Sequence, residues 1–256
     1  MDPALIAEVE AAACRRLAHP AQPWAEADIE ELAAFNASAG NMSGAEAAGA
    51  LASAATLCVM TGQQAGVLTG PLYTLYKALG ALVLAERMEQ ALGRRVVAGF
   101  WIASDDHDFE EIRAVAWPDR DDRPQRHRLE APVETGARSA HAIPLEEAAS
   151  DLFDAIGEST HPGERRDALL DRLIEAAETA ANLEDFFARC LTMLLGPVGS
   201  LILVSPRLGC VRRAQTGPLS RELADPEGAT GLLLEAGRAY ETRGEKPPIH
   251  RRPNDV

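Results

Sequence analysis

Basic charge is in short supply in this sequence. Its 256 residues carry 25 lysines and arginines against 39 aspartates and glutamates, a formal charge of −14 and a pI of about 4.9. Such a balance repels polyphosphate backbones, which excludes nucleic acid as a main partner. Long apolar runs are lacking as well. The uncharged stretch Cys190 to Pro206 is interrupted by Gly196-Pro197-Val198-Gly199 and reads as helix end, turn and strand, so no membrane span is expected. Cysteine is scarce: residues 14, 58, 190 and 210 include no C-x2-C pair, which excludes a disulfide framework and a structural zinc site. Cys58 and Cys190 are expected as small core residues. The opening Met1-Asp2-Pro3-Ala4-Leu5 has no basic region leading into an apolar core, so no secretory signal or transit peptide is read and the cytoplasm is the expected location. A G-x-S-x-G elbow is missing, and no cysteine adjoins a glycine-rich turn, which leaves nucleophilic hydrolases without support. Lysine occurs only at 77 and 246, against 23 arginines, in an alanine-rich chain. That bias reads as genomic base composition.

What is present, 46% apolar and 25% charged residues, is ordinary globular composition and rules out chain-wide disorder. Residues 1–55 form a helical segment, with Asp28 expected to cap a helix over Ile29 to Phe35. Residues 56–111 are the first part of an α/β core. Thr56 to Met60 reads as a buried strand, followed by a glycine-rich loop holding Gly62, Gly66 and Gly70. Pro71 suits a first helical turn, and Leu72, Leu75, Leu79, Leu82, Val83 and Met88 recur with helical period up to Gly93. The continuous apolar run Val96 to Ala103 reads as a parallel strand buried on both faces. Strand, helix and strand make a crossover unit, and in open α/β sheets ligands sit beyond the carboxyl ends of the strands. Residues 112–145 read as a small antiparallel insertion of short strands near 113–117, 125–131 and 138–145. Residues 146–244 hold helices, one over about 164–195 broken near Asn182, another over 226–243, and a third core strand at Ser200 to Val204. Residues 245–256 form an irregular tail, taken as a truncation point. Three core strands are few for such a sheet, so open edges and uncovered apolar surface are expected.

Two segments could carry chemistry. Thr61-Gly62-Gln63-Gln64-Ala65-Gly66-Val67-Leu68-Thr69-Gly70-Pro71 joins a strand to a helix, where glycines let amides approach an anion and the helix start adds positive potential. It matches neither G-x-G-x-x-G nor G-x4-G-K-[ST], so a tight connection is the competing reading. Two adjacent glutamines at a strand end offer donors and acceptors with no packing purpose. Lys77, one and a half turns into the helix, could reach back toward a phosphate or carboxylate. The second segment, Asp105-Asp106-His107-Asp108-Phe109-Glu110-Glu111, sets a histidine among carboxylates at a strand end. Such a group can act as acid or base, or hold a metal through mixed ligands, and a metal hydrolase is one reading of it. Its acids also suit a helix start, which accounts for Glu110 and Glu111. No resident metal is assigned. Histidines 19, 127, 141, 161 and 250 are read as surface residues.

Together the stretches Thr61 to Ala78 and Phe100 to Glu111 resemble the bacillithiol biosynthesis cysteine-adding enzymes, with a looser similarity from about residue 25 to the end. The resemblance implies a Rossmann-like, class I synthetase-like parallel core, here incomplete, and ligation of L-cysteine to glucosaminyl-malate. It places Thr61, Gly62, Gln63, Gln64, Gly66, Gly70 and Lys77 in the substrate- or nucleotide-binding pocket, and Asp106, His107, Asp108 and Glu110 in its catalytic wall. Asp105 departs from the glutamate usual there. A nucleotide such as ATP is the cosubstrate by analogy. Members of that family are about twice this length, so the chain is read as an N-terminal fragment or split half with a separately encoded C-terminal partner. The alternative is a non-catalytic small-anion-binding remnant or subunit.

Overall fold

A computed structural model describes residues 7–8, 11–14, 24–106, 108–130, 139–247 and 249. The chain divides into two units, Met1–Cys210 and Val211–Val256. In the first, α1 (Glu26–Ser38) and α2 (Met42–Ala48) precede β1 (Leu57–Gln64), α3 (Tyr73–Leu92) and β2 (Val96–Ala103). A one-turn helix α4 (Phe109–Ile112) leads into a hairpin of β3 (Ala114–Pro118) and β4 (Pro124–Arg128). Helices α5 (Glu146–Ser159), α6 (Glu164–Glu178) and α7 (Leu183–Leu195) follow, then β5 (Leu201–Val204) and the start of α8 (Gly209–Ala224). The second unit holds the rest of α8 and α9 (Pro226–Thr242), whose first turn is capped by Asp225 accepting from Gly228 N at 2.9 Å.

Strands β1, β2 and β5 form one parallel sheet in the order β1-β2-β5. The register runs from Leu57 opposite Val96 to Gln64 opposite Ala103, and from Ala98 opposite Leu201 to Trp101 opposite Val204. All three strands therefore end at one edge, near Gln64, Ser104 and Ser205. The middle strand β2 has the unbroken apolar composition that a strand covered on both faces requires, and its first five residues are buried. One sheet face, with Phe100, Ile102 and Leu203, joins a core built with Ala78, Ala81 and Ala85 of α3 and Phe186, Phe187 and Leu191 of α7. The alanines let α3 lie close to the sheet. The Phe100 and Phe187 rings meet at 5.9 Å, and each fully buried ring contributes on the order of 2–3 kcal/mol. Helix α3 stops at Gly93, whose left-handed backbone (φ 59°) turns its N–H back to Glu89 O.

The free edge of β5 is sealed by side chains. Asn36 donates through Nδ2 to Leu203 O (2.9 Å) and accepts from Leu203 N (2.8 Å), as a neighbouring strand would, and Asn41 Nδ2 donates to Leu201 O (2.7 Å). This edge is not open, because two buried amides reproduce the ladder. The β1 side differs again. Cys58 is exposed and Met60 is 50% exposed, so β1 is half-buried and Cys58 is not a core residue. An edge strand needs cover on one face only. Cys190 is buried, and burial holds its thiol well above the usual range.

Other local expectations shift. Strand β1 runs on through Thr61, Gly62, Gln63 and Gln64, so the connection to α3 is shorter than the glycine spacing predicts. Pro71 stands before the helix instead of in its first turn, with Leu72 at the N-cap. Helix α1 begins at Glu26 behind Ala25, so Asp28 lies in its first turn instead of at the N-cap. The break near Asn182 is complete, and Asn182 caps α7 by accepting from Asp185 N at 3.0 Å. Of the three short strands, β3 and β4 form among the described residues, while residues 140–142 make a 3-10 turn. His127 is buried, 3.3 Å from Ser159 Oγ through Nε2, because its position on β4 turns it inward. Helix α8 was not expected. His19, His250 and the 250–256 end of the tail lie outside the described residues.

Candidate functional site

The turn from β1 to α3 is built under strain. Gly66 packs against Gly70 so closely that a Cβ on it would meet Gly70 Cα at 2.9 Å, and Gly70 itself holds φ 69°, ψ −141°, a region open only to glycine. Leu68 (φ 50°) and Thr69 (φ 70°) precede it, so three successive residues are left-handed and two of them have side chains that resist it. Each such residue costs of order 1–3 kcal/mol and persists only where the surroundings dictate it. Here Ala65, Val67, Leu68 and Thr69 are all buried and α7 packs against residues 67–69.

Helix α3 then starts with no side-chain cap and no acidic residue in its first turn, which leaves its positive end uncompensated within the helix. Thr74 Oγ1, in that turn, is buried without a hydrogen-bond partner. Lys77 reaches back, as its spacing implied, and its target is the protein. It donates to Gly62 O (3.0 Å) and Gln63 Oε1 (2.8 Å), with its ammonium 5.0 Å from the Tyr73 ring centre. Gly62 has a packing reason of its own, since a Cβ there would strike Trp101 O at 2.7 Å.

The acidic segment meets this turn through Gln64. Its amide donates to Asp106 Oδ2 at 2.6 Å and to Glu111 Oε2 at 2.8 Å, so one NH2 group joins two carboxylates. Asp106 Oδ1 also accepts from Asp108 N (3.2 Å), and Asp108 caps α4 by accepting from Glu111 N (3.3 Å). Glu110 pairs with Arg113 at 3.1 Å. The sequence-derived residues Gln64 and Asp106 thus come together with Glu111, which had been assigned only to the helix start. Thr61, Gly62 and Gln63 lie on the last half of β1, Gly66 and Gly70 shape the turn, and Glu110 is drawn toward Arg113. His107 lies outside the described residues. Among the described residues, no group of three or more His, Cys, Asp or Glu side chains is arranged for a metal ion.

A second cluster at the same edge went unread in the sequence. Ser104 Oγ, at the end of β2, donates to Glu184 Oε1 at 2.6 Å, and Arg207 Nη1 donates to Glu184 Oε2 at 3.2 Å. Glu184 is buried in the first turn of α7, and Ser205 Oγ accepts from Arg207 N. The available signal was polar: a serine directly after each of two apolar strands.

The architecture is that of a Rossmann-like α/β domain, with polar clusters at the carboxyl ends of its strands. Residues 13–256 match the family described as bacillithiol biosynthesis BshC, N-terminal Rossmann-like domain, and the chain belongs to that family. It is 36% identical over 202 residues to BshC of Desulforamulus reducens, covering 76% of this chain and 36% of that protein. Similarity to BshC of Salinibacter ruber is 32% over 202 residues (78% and 36%), and to BshC of Heliobacterium modesticaldum 33% over 239 residues (78% and 43%). Each of these relatives carries a provisional designation as a cysteine ligase. The matched regions thus span between 36% and 43% of the length of these relatives. Among the described residues no helix is long and apolar enough to cross a membrane.

Proposed function

We propose that this chain supplies the substrate-holding sheet edge of a carbon–nitrogen ligase of bacillithiol biosynthesis, joining L-cysteine to the glucosamine amine of glucosaminyl-malate in the cytoplasm. The observation that carries the reading is the Gln64 amide clamped between Asp106 and Glu111, beside a strained turn and an uncapped helix start. The two halves suit the two reactants. An amine arrives as a cation and is drawn to the carboxylates, whereas the carboxyl side of the reaction brings negative charge to the start of α3.

Amide formation needs the amine neutral. Asp106 or His107 is the group assigned to accept the proton as the nitrogen closes on the cysteine carbonyl carbon, with Asp108 capping α4 and Glu110 paired with Arg113 beside it. Gln64 holds Asp106 Oδ2 at the strand end, and Asp108 N holds Oδ1. Thr61, Gly62, Gln63, Gly66, Gly70 and Lys77 shape the pocket below. A nucleotide of the ATP class fits the start of α3 by charge, and when bound it supplies the leaving group that makes the cysteine carboxyl reactive. The remaining walls of the site are assigned to the part of the relatives that lies outside the matched region.

Mixing the purified chain with the C-terminal portion of the Desulforamulus reducens relative tests this reading. The expected result is cysteine-dependent amide product by mass spectrometry, reduced roughly 10²-fold or more in Asp106→Asn, as removal of a general base commonly does. A second reading, a small-anion-binding subunit without turnover, draws on the same contacts, since Asp106 and Glu111 are already engaged by Gln64. Ligand binding without product under those conditions favours it.

A further inference from the structure

Arg207, beyond the carboxyl end of β5, has no part in the reading above. Its side chain is 37% exposed and commits one guanidinium donor, Nη1, to Glu184 Oε2 at 3.2 Å. The Glu184 side chain is 5% exposed, and its other oxygen accepts from Ser104 Oγ at 2.6 Å. Ser104 follows β2 directly, so the middle strand anchors the carboxylate and the carboxylate in turn fixes the guanidinium over the neighbouring strand. A buried ion pair is a weak source of stability compared with well-packed apolar side chains. What it does provide here is orientation. The Nε–Nη2 side of the guanidinium remains as a planar fork whose spacing matches the two oxygens of a carboxylate.

The helix start beside it does not compete for such a ligand. Gly209 N and Cys210 N both donate to the Glu31 carboxylate, so the first amides of α8 are already satisfied. At the β5 end of this edge, among the described residues, the Arg207 guanidinium is placed to meet an anion. Neighbouring strands lie about 4.8 Å apart, so the ends of β1 and β5 are roughly 10 Å from one another, a span that one elongated substrate can bridge.

We infer that Arg207, positioned by Glu184 and Ser104, binds a non-reacting carboxylate of the amine-bearing substrate. The identity of that substrate rests on the ligase reading: glucosaminyl-malate keeps both malyl carboxylates through amide formation, whereas the carboxyl of cysteine is consumed. Arg207 would then hold the malyl end while the amine lies toward Asp106.

Calorimetric titration of the full chain with L-malate, glucosaminyl-malate, glucosamine and inorganic phosphate tests this. Replacing Arg207 alone strands a buried carboxylate, so the informative variant is the neutral pair Glu184→Gln with Arg207→Gln, its fold checked by circular dichroism. L-malate and glucosaminyl-malate are expected to bind the wild-type chain and to lose tenfold or more in affinity in the double variant. Arg207→Lys, which keeps the charge and loses the fork, should fall between them. Unchanged malate affinity in the folded double variant, no malate binding to the wild type, or phosphate binding as tightly as malate through Arg207 would each overturn the inference. Arg207-dependent malate binding with glucosaminyl-malate no tighter than malate would uphold the role of Arg207 and count against the substrate named in the ligase reading.

Discussion

Two strand-to-helix turns leave the same edge of the sheet and are finished in opposite ways. After β5, the amides that open α8 are taken by Glu31, a carboxylate supplied by α1, and the nearby Arg207 is tied to Glu184. After β1, the chain passes through three left-handed residues into a helix with neither a cap nor an acid in its first turn. A helix start attracts negative charge wherever it stands. The protein meets that demand from its own residues at one turn and leaves it unmet within the helix at the other. The difference supports the proposal that the β1–α3 turn is the receptive one and the α8 start structural.

The largest expected effect comes from breaking the receptive turn. Gly66→Val would drive a side chain into Gly70 and should abolish nucleotide or phosphate binding in calorimetry, with a stability loss of about 2–4 kcal/mol in urea titration. Retained affinity would contradict the role given to the turn. Converting the closed turn into an open one sharpens the same contrast. Glu31→Ala should cost about 1–2 kcal/mol and expose the amides of Gly209 and Cys210, creating phosphate binding where the wild type has none. A smaller effect is expected at Thr69, a β-branched residue at φ 70°. Thr69→Asn should recover up to about 1 kcal/mol by easing the backbone while weakening ligand binding as the turn loosens, both read from melts with and without phosphate.

The smallest effect lies away from both turns and serves as a control. Burial holds His127 below its usual pKa, so the folded state disfavours its protonation. The unfolded chain therefore takes up the proton first, and stability present above pH of about 6.5 is lost as pH falls through the depressed folded value. His127→Gln should flatten that limb of the stability–pH curve without changing ligand affinity.

The helix α3 and the strands β2 and β5 were legible because each repeats one local pattern: an apolar stripe at helical spacing, or an unbroken apolar run. The β1–α3 turn was legible through its glycines, although four of its expected residues, Thr61 to Gln64, extend β1. Contacts that close over long separations were not. Gln64 meets Asp106 and Glu111 across 42 and 47 positions, and Ser104 meets Glu184 across 80, with nothing in the intervening sequence to pair them. The amides of Asn36 and Asn41 that seal β5 lie more than a hundred residues before it. Helix α8 escaped because Gly217 and Pro218 interrupt it and its apolar residues follow no clear stripe. The exposed face of β1 depends on which strands flank it, a property of the sheet that a single apolar run does not carry.

The contrast between the two turns can be read residue by residue. Titrating the isotopically labelled chain with ATP and following backbone amides by NMR should move the signals of residues 66–75 and leave those of Gly209 and Cys210 in place. Shifts centred on Gly209 and Cys210, or none across 66–75 at saturating nucleotide, would contradict the assignment of the β1–α3 turn as the anion-receiving site.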